Sequence, residues 1–208
     1  MKTCYIVGAG EFYGAFRPRA DDLVIAADGG LDTLKSLGVR CDLLVGDMDS
    51  LTDANHNLKA IKHPVEKDET DMHLSYLEGV KRGYENFVVF GGVGGREDHT
   101  FANYSLLLYA KLRGNNMILI TKRGEAFVIK NEKVELSGEV GDTLSVFAFG
   151  AAASGICITG AKYCANDISL TPDFPLGVSN EFSCKCVTLS VKDGALLVMH
   201  EKKHRCFS

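Results

Sequence analysis

Over the first 120 residues, short and almost wholly apolar runs alternate with segments of helical period. Residues 4–7, 22–26, 43–45, 87–90 and 117–120 read as strands, and 61–65 as a short extended piece. Pro64 cannot donate to a ladder, which places that piece at an exposed edge or strand end. Between the strands the pattern predicts four helices. One follows Gly29-Gly30 and runs through Leu37, and a polar one covers about 52–59. The third covers 71–82, with Leu74, Leu77 and Val80 at helical spacing and Thr70 as N-cap. The fourth is strongly apolar, covers 101–112 and is ended by Gly114. Strands alternating with helices predict an α/β unit, a mainly parallel sheet with helices on both faces.

From about Gly124 the period changes from helical to alternating. Residues 126–129, 133–136, 143–148, 155–159, 182–191 and 195–199 are β-branched runs separated by Gly, Asn or Asp. They predict a C-terminal all-β sandwich or barrel. The expected organisation is a domain over 1–122 and a second over 123–208, with the hinge near 121–124.

Composition narrows the function classes. The chain has 208 residues, 46% hydrophobic and 24% charged, as in an ordinary globular protein. A net charge of -4 provides no basic field, so nucleic acid is not the expected partner. No apolar run reaches the roughly 20 residues of a membrane helix. The seven cysteines are scattered, and no secretory signal is apparent at the start. They are expected to be reduced thiols in a cytoplasmic protein. Cys184-Lys185-Cys186, if it lies in a strand, turns both thiols to one face, but no second pair completes a zinc site.

The chemistry is concentrated where strands end. AADGG (Ala26 to Gly30), GDMDS (Gly46 to Ser50), KDETD (Lys67 to Asp71) and GGREDH (Gly94 to His99) gather Asp28, Asp47, Asp49, Asp68, Asp71 and Asp98. Lys67, Arg96 and His99 stand among them. In open parallel sheets ligands bind outside the carboxyl ends of strands, so these distant positions are expected to meet in one crevice. A carboxylate cluster cannot be buried unpaired, because the charges repel and desolvation adds to the cost. A divalent cation removes both problems, and all-oxygen donors suit Mg2+. Asp47 and Asp49, two apart, point the same way in an extended segment. Read alone, Asp71 could merely complement a helix dipole, and the Asp47–Asp49 pair could be a solvated turn. Gly29 and Gly30 at a strand-to-helix junction give a phosphate access to free N–H groups. The run Gly91-Gly92-Val93-Gly94-Gly95-Arg96 offers bare backbone and one guanidinium, which fits a polyphosphate. No GxxxxGK[ST] occurs, and Gly8-Ala9-Gly10 followed by Gly14 misses the dinucleotide spacing by one residue.

Taken in order, ADGG, GDMDS, KDETD and GGxGGREDH, with Gly177-Val178-Ser179-Asn180-Glu181 late in the chain, closely resemble the thiamine pyrophosphokinase (thiamine diphosphokinase) family. The resemblance spans Asp28 to about Met199. It implies the fold already read from the pattern, and a magnesium-dependent transfer of the pyrophosphoryl group of ATP to the hydroxyl of thiamine, giving AMP and thiamine diphosphate. It implies Asp47, Asp49 and Asp71 as magnesium ligands. Asp28, Gly29, Gly30, Lys67, Asp68, Gly94, Gly95, Arg96 and His99 would lie around the ATP phosphates. Asp71, Arg96 and Asp98 would be the catalytic groups, with Asp71 or Asp98 taking the alcohol proton. Ser179 and Asn180 would face thiamine. The resemblance further implies a homodimer with the active site between subunits. The chain departs from many relatives at Tyr163-Cys164-Ala165-Asn166-Asp167, where they carry a Tyr-Pro-Leu run, and it has no Trp. Two other readings share the motifs. A metal-dependent phosphoesterase would want several histidines near the carboxylates, where only His99 is well placed. A non-catalytic thiamine or nucleotide sensor would most simply have lost a metal ligand.

Overall fold

A computed structural model describes residues 2–46, 60–62 and 69–203. The chain divides into two compact units, Met1–Leu106 with Asn115–Thr121 and Leu107–Gly114 with Lys122–Ser208.

The first unit is built on six parallel strands: β1 (Cys4–Val7), β2 (Leu23–Ala27), β3 (Leu43–Gly46), β4 (Ala60–Lys62), β5 (Asn86–Phe90) and β6 (Asn116–Ile120). They pair in the order β6-β5-β1-β2-β3-β4. Strands buried on both faces explain the unbroken apolar runs: every residue of β3 is buried, as are all but Tyr5 in β1. Helix α1 (Gly30–Ser36) packs Leu31 and Leu34 with Val7, Val24, Ala26 and Phe90. Helix α2 (Asp71–Lys81) lies on the opposite face, where Tyr76 meets Phe87 with ring centroids 4.9 Å apart. A Cβ at Gly79 would fall 2.5 Å from Phe87, so a glycine here lets α2 approach the sheet. The buried Tyr76 hydroxyl accepts from Asn115 Nδ2 at 2.9 Å, which satisfies both polar groups. Thr70 caps α2 as expected, its hydroxyl accepting from the His73 N–H at 3.2 Å. Helix α3 (Glu97–Leu112) begins one turn earlier than the apolar pattern suggested, because its first turn carries Glu97 and Asp98 rather than apolar residues. The predicted helix at 52–59 and residues 63–65 lie outside the described residues.

The second unit is an antiparallel sandwich. Its strands are β7 (Gly124–Lys130), β8 (Lys133–Ser137), β9 (Thr143–Ala148), β10 (Ala153–Thr159), β11 (Ala165–Leu170), β12 (Asn180–Glu181), β13 (Cys186–Ser190) and β14 (Ala195–Glu201). One sheet runs β12-β9-β14-β7 and the other β11-β10-β13-β8. Alternate residues of β9 and β13 turn inward, so that Leu144, Val146 and Ala148 share a core with Ile156, Val187, Leu189 and Val198.

The second unit departs from the sequence pattern after β10. The run 182–191 is not one long strand. Phe182 bridges Ala161, residues 183–185 bend away, and only Cys186–Ser190 pairs with β8 and β10. Cys184 therefore sits in the bend and Cys186 starts β13, and the two do not form one strand's CxC face. Strand β11 is absent from the pattern. Its sequence ANDISL is polar and mostly unburied, and Asp167 adopts φ 55°, so it carries no alternating signal.

Candidate active site

The order of the parallel strands reverses at β1: the chain proceeds outward through β2, β3 and β4 on one side, and through β5 and β6 on the other. That reversal opens a crevice beyond the carboxyl ends of β1 and β5. A cavity of about 350 Å³ lies there. Gly8, Ala9 and Gly10 after β1 and Gly91, Gly92, Val93, Gly95 and Arg96 after β5 form two of its walls. Ala27 and Asp28 after β2, Thr70, Asp71 and Met72 at the start of α2, and His99, Thr100 and Asn103 on α3 complete it.

The two glycine loops are laced together by backbone hydrogen bonds. Gly8 N–H donates to Phe90 O at 2.8 Å, Gly10 N–H to Gly91 O at 2.9 Å, and Glu11 N–H to Val93 O at 2.9 Å. Such contact leaves no room for side chains. A Cβ on Gly8 would lie 2.7 Å from Gly91 O, and one on Gly10 2.5 Å from Val93 O. Gly91 is more constrained still, with φ 62° and a Cβ position 2.4 Å from Gly8 O. The Gly8-Ala9-Gly10 segment fails as a dinucleotide fingerprint yet walls the cavity. A glycine pair directly after the first strand was the available signal.

Asp28 is exposed at the end of β2, in the left-handed region at φ 50°, its N–H held by Val45 O at 2.9 Å. Gly29 is the N-cap of α1 without a side-chain cap. Gly30 is buried against the end of β1, where a Cβ would overlap Val7 O at 1.8 Å. Asp71 opens α2 beside the cavity. Gly94 takes φ 80° in the β5 loop and packs against Glu11.

Arg96 and Asp98 form a forked pair, Nε to Oδ1 at 3.1 Å and Nη2 to Oδ2 at 2.6 Å. The His99 N–H also donates to Asp98 Oδ1, at 3.0 Å. The guanidinium holds the Asp98 carboxyl below its ordinary value, and the carboxylate raises that of Arg96. Both side chains are largely in solvent, at 73% and 63% exposure. The pair is therefore weak and can be exchanged for an arriving phosphate. Asp47, Asp49, Lys67 and Asp68 lie outside the described residues. Asn103 was missed from the sequence: it is buried in α3, and its Nδ2 donates to Gly92 O at 2.7 Å.

The cavity's donor set suits a hard divalent cation as far as it is described. Asp28 and Asp71 offer oxygen atoms, with no cysteine on the wall. Among the described residues no group of three or more His, Cys, Asp or Glu could hold a metal, so two carboxylates must be supplemented. Residue 47 follows β3 at Gly46, whose Cβ position would be 3.4 Å from the Asp28 Cα.

Ser179 and Asn180 belong to the second unit. Gly177 presses on β9, where a Cβ would be 2.1 Å from Val146 O. Ser179 is exposed at φ 59°, its N–H donating to Ser145 Oγ at 3.1 Å. Asn180 is buried and its amide is engaged internally. Its Oδ1 accepts from the N–H groups of Tyr163 and Glu181, both at 2.9 Å, and its Nδ2 donates to Tyr163 O at 2.8 Å. What Asn180 presents outward is consequently the Tyr163 turn, a residue 64% exposed with Lys162 Nζ 5.6 Å from its ring centroid.

Comparison with known proteins identifies relatives of the whole chain. Residues 19–119 match the family model described as thiamin pyrophosphokinase, catalytic domain, and residues 128–196 match thiamin pyrophosphokinase, vitamin B1 binding domain. The chain is 28% identical over 185 residues to the thiamine pyrophosphokinase of Bacillus subtilis (strain 168), covering 85% of this chain and 86% of the relative. A crystal structure of thiamine pyrophosphokinase from Bacillus subtilis superposes with a TM-score of 0.86 at 25% identity, over 97% of this chain and 99% of that one. The yeast thiamin pyrophosphokinase structure shares the fold, with a TM-score of 0.74 at 17% identity, over 96% and 86% of the two chains.

Proposed function

The chain belongs to the thiamine pyrophosphokinase family, the enzymes that move the pyrophosphoryl group of ATP onto the hydroxyl of thiamine to give AMP and thiamine diphosphate, and we propose how its residues divide that work. Residues 1–122 form the nucleotide- and metal-binding catalytic domain, and residues 123–208 the thiamine-binding domain. The observation that carries the reading is the cavity at the strand-order reversal. It brings bare glycine backbone, Arg96, Asp28 and Asp71 together outside the ends of β1, β2 and β5.

The glycine loop around Gly94 and Gly95, with Gly29, Gly30, Asp28, Lys67, Asp68 and His99, binds and orients the ATP polyphosphate. Asp47, Asp49 and Asp71 would hold Mg2+, which would supply positive charge to offset that of the phosphates. Arg96 turns from Asp98 to the transferred group and offsets the negative charge that builds up there. The carboxylate of Asp71 or Asp98 accepts the proton of the thiamine hydroxyl as the hydroxyl oxygen attacks the β-phosphorus and the bond to the α-phosphate breaks, releasing AMP. Ser179 faces thiamine directly, and Asn180 does so through the Tyr163 turn it holds. We read the working form as a cytoplasmic homodimer with the site between subunits, as the resemblance implies.

Incubation with ATP, thiamine and magnesium tests the reading. AMP and thiamine diphosphate should appear in equal amounts. Release of inorganic phosphate without a thiamine product would support a phosphoesterase and overturn it.

A further inference from the structure

Four consecutive carbonyls of the β5 loop, from Phe90 to Val93, are each held by a hydrogen-bond donor. Three of the donors are backbone N–H groups, those of Gly8, Gly10 and Glu11. The fourth, on Gly92 O, is the Asn103 side-chain amide at 2.7 Å. In a trans peptide the C=O and the following N–H point in opposite directions. Fixing Gly92 O toward α3 therefore fixes the direction of the Val93 N–H. Gly92 has no Cβ to restrict its ψ, so without a partner on its carbonyl that peptide has the freedom to turn over. No larger residue fits at Gly92, because a Cβ there would lie 2.6 Å from Leu119 and 3.2 Å from Val89.

We propose that Asn103 is a positioning residue for phosphate binding, locking the Gly92–Val93 peptide so that the loop presents N–H rather than C=O to the nucleotide. The proposal rests on the reading of this cavity as the ATP site. Asn103 is the one side chain among the four donors.

The experiment uses the full-length protein and α,β-methylene-ATP with magnesium, with binding followed by calorimetry. Asn103→Asp replaces the donor by an oxygen facing Gly92 O, and Asn103→Ala removes it. Loss of one buried hydrogen bond with an added repulsion corresponds to about a tenfold or greater rise in the analogue's Kd for Asn103→Asp. A smaller rise is expected for Asn103→Ala, with thiamine binding within about twofold for both. A folded variant that binds the analogue as the wild type does would overturn the proposal. A purely structural role would lower the melting temperature without moving that Kd. In the wild type, the analogue should slow solvent exchange of the Asn103 side-chain amide together with that of the Val93 N–H. Exchange at Asn103 that ignores the analogue while Val93 responds defeats the proposal even if both variants fail to fold. If neither Val93 nor Gly95 responds in a wild type that binds the analogue, it is the cavity assignment that fails.

Discussion

Replacing Asn180 by Ala removes an amide that makes three hydrogen bonds in a site only 7% exposed. It leaves the Tyr163 N–H, the Tyr163 carbonyl and the Glu181 N–H without that partner. Water can reach part of the site, because Tyr163 is exposed, so not every group pays the full desolvation penalty. Net losses of roughly 1 kcal/mol per bond place the destabilisation at about 2–3 kcal/mol. For a chain of this size that lowers the melting temperature by roughly 4–12 °C. The functional consequence follows from the same bonds. With its backbone released, Tyr163 no longer holds a fixed ring, and the KM for thiamine should rise about tenfold while the KM for ATP changes little. Asn180→Asp sharpens the test. It keeps an acceptor for the two N–H groups but sets an oxygen against the Tyr163 carbonyl, so thiamine binding should suffer with a smaller loss of stability. Steady-state kinetics in each substrate and thermal unfolding of both variants supply the numbers. An Asn180→Ala protein with wild-type stability and thiamine KM would refute the clamp, and one in which only the ATP constant moves would place thiamine elsewhere.

Arg96→Ala should lower kcat by roughly 10²–10³-fold and leave thiamine affinity nearly unchanged, because the guanidinium is read as pairing with charge that grows during transfer; an intact kcat with weakened thiamine binding would contradict that role. Asp47→Asn or Asp49→Asn should abolish turnover and make ATP binding indifferent to magnesium, and normal activity of either at saturating magnesium would remove it from the metal site. Burial alone would raise the Asp142 carboxyl above its ordinary 3.8, but the N–H groups of Glu139 and Lys203 and the neighbouring His200 outweigh it and hold it lower. The stabilisation from Asp142 is therefore present above that ordinary value and lost as pH falls through the lowered one. Urea unfolding at pH 7 and pH 3 should show a smaller acid loss for Asp142→Asn than for the wild type, and equal losses would deny the linkage.

The parallel sheet was legible because strands covered on both faces must be apolar throughout, as Leu43 to Val45 and Phe87 to Phe90 are. The Asp28 and Gly91 motifs then fall at one sheet edge by topology alone, since each directly follows the carboxyl end of a parallel strand. Local rules also served at Thr70, where an N-cap depends only on the next three residues. What depended on distant partners was not legible. Asn103 lies in an apolar helix, and its hydrogen-bond partner is a carbonyl 11 residues away. Gly8 and Gly10 are required by Gly91 and Val93, not by anything nearby in the chain. Asn180 reads in the sequence only as a short polar residue before a strand, and its bonds to Tyr163, 17 residues earlier, are not visible there. The run 182–191 looked continuous because its bend at Ser183 to Lys185 carries neither Gly nor Pro.

Phosphorus labelling tests the central claim most directly. The protein is incubated with thiamine, magnesium and ATP labelled separately at the α, β or γ phosphorus. Pyrophosphoryl transfer predicts that β and γ labels enter thiamine diphosphate together, one ATP per product, while the α label appears only in AMP. A product carrying γ label alone, with ADP accumulating, would mean stepwise phosphoryl transfer and would contradict the account.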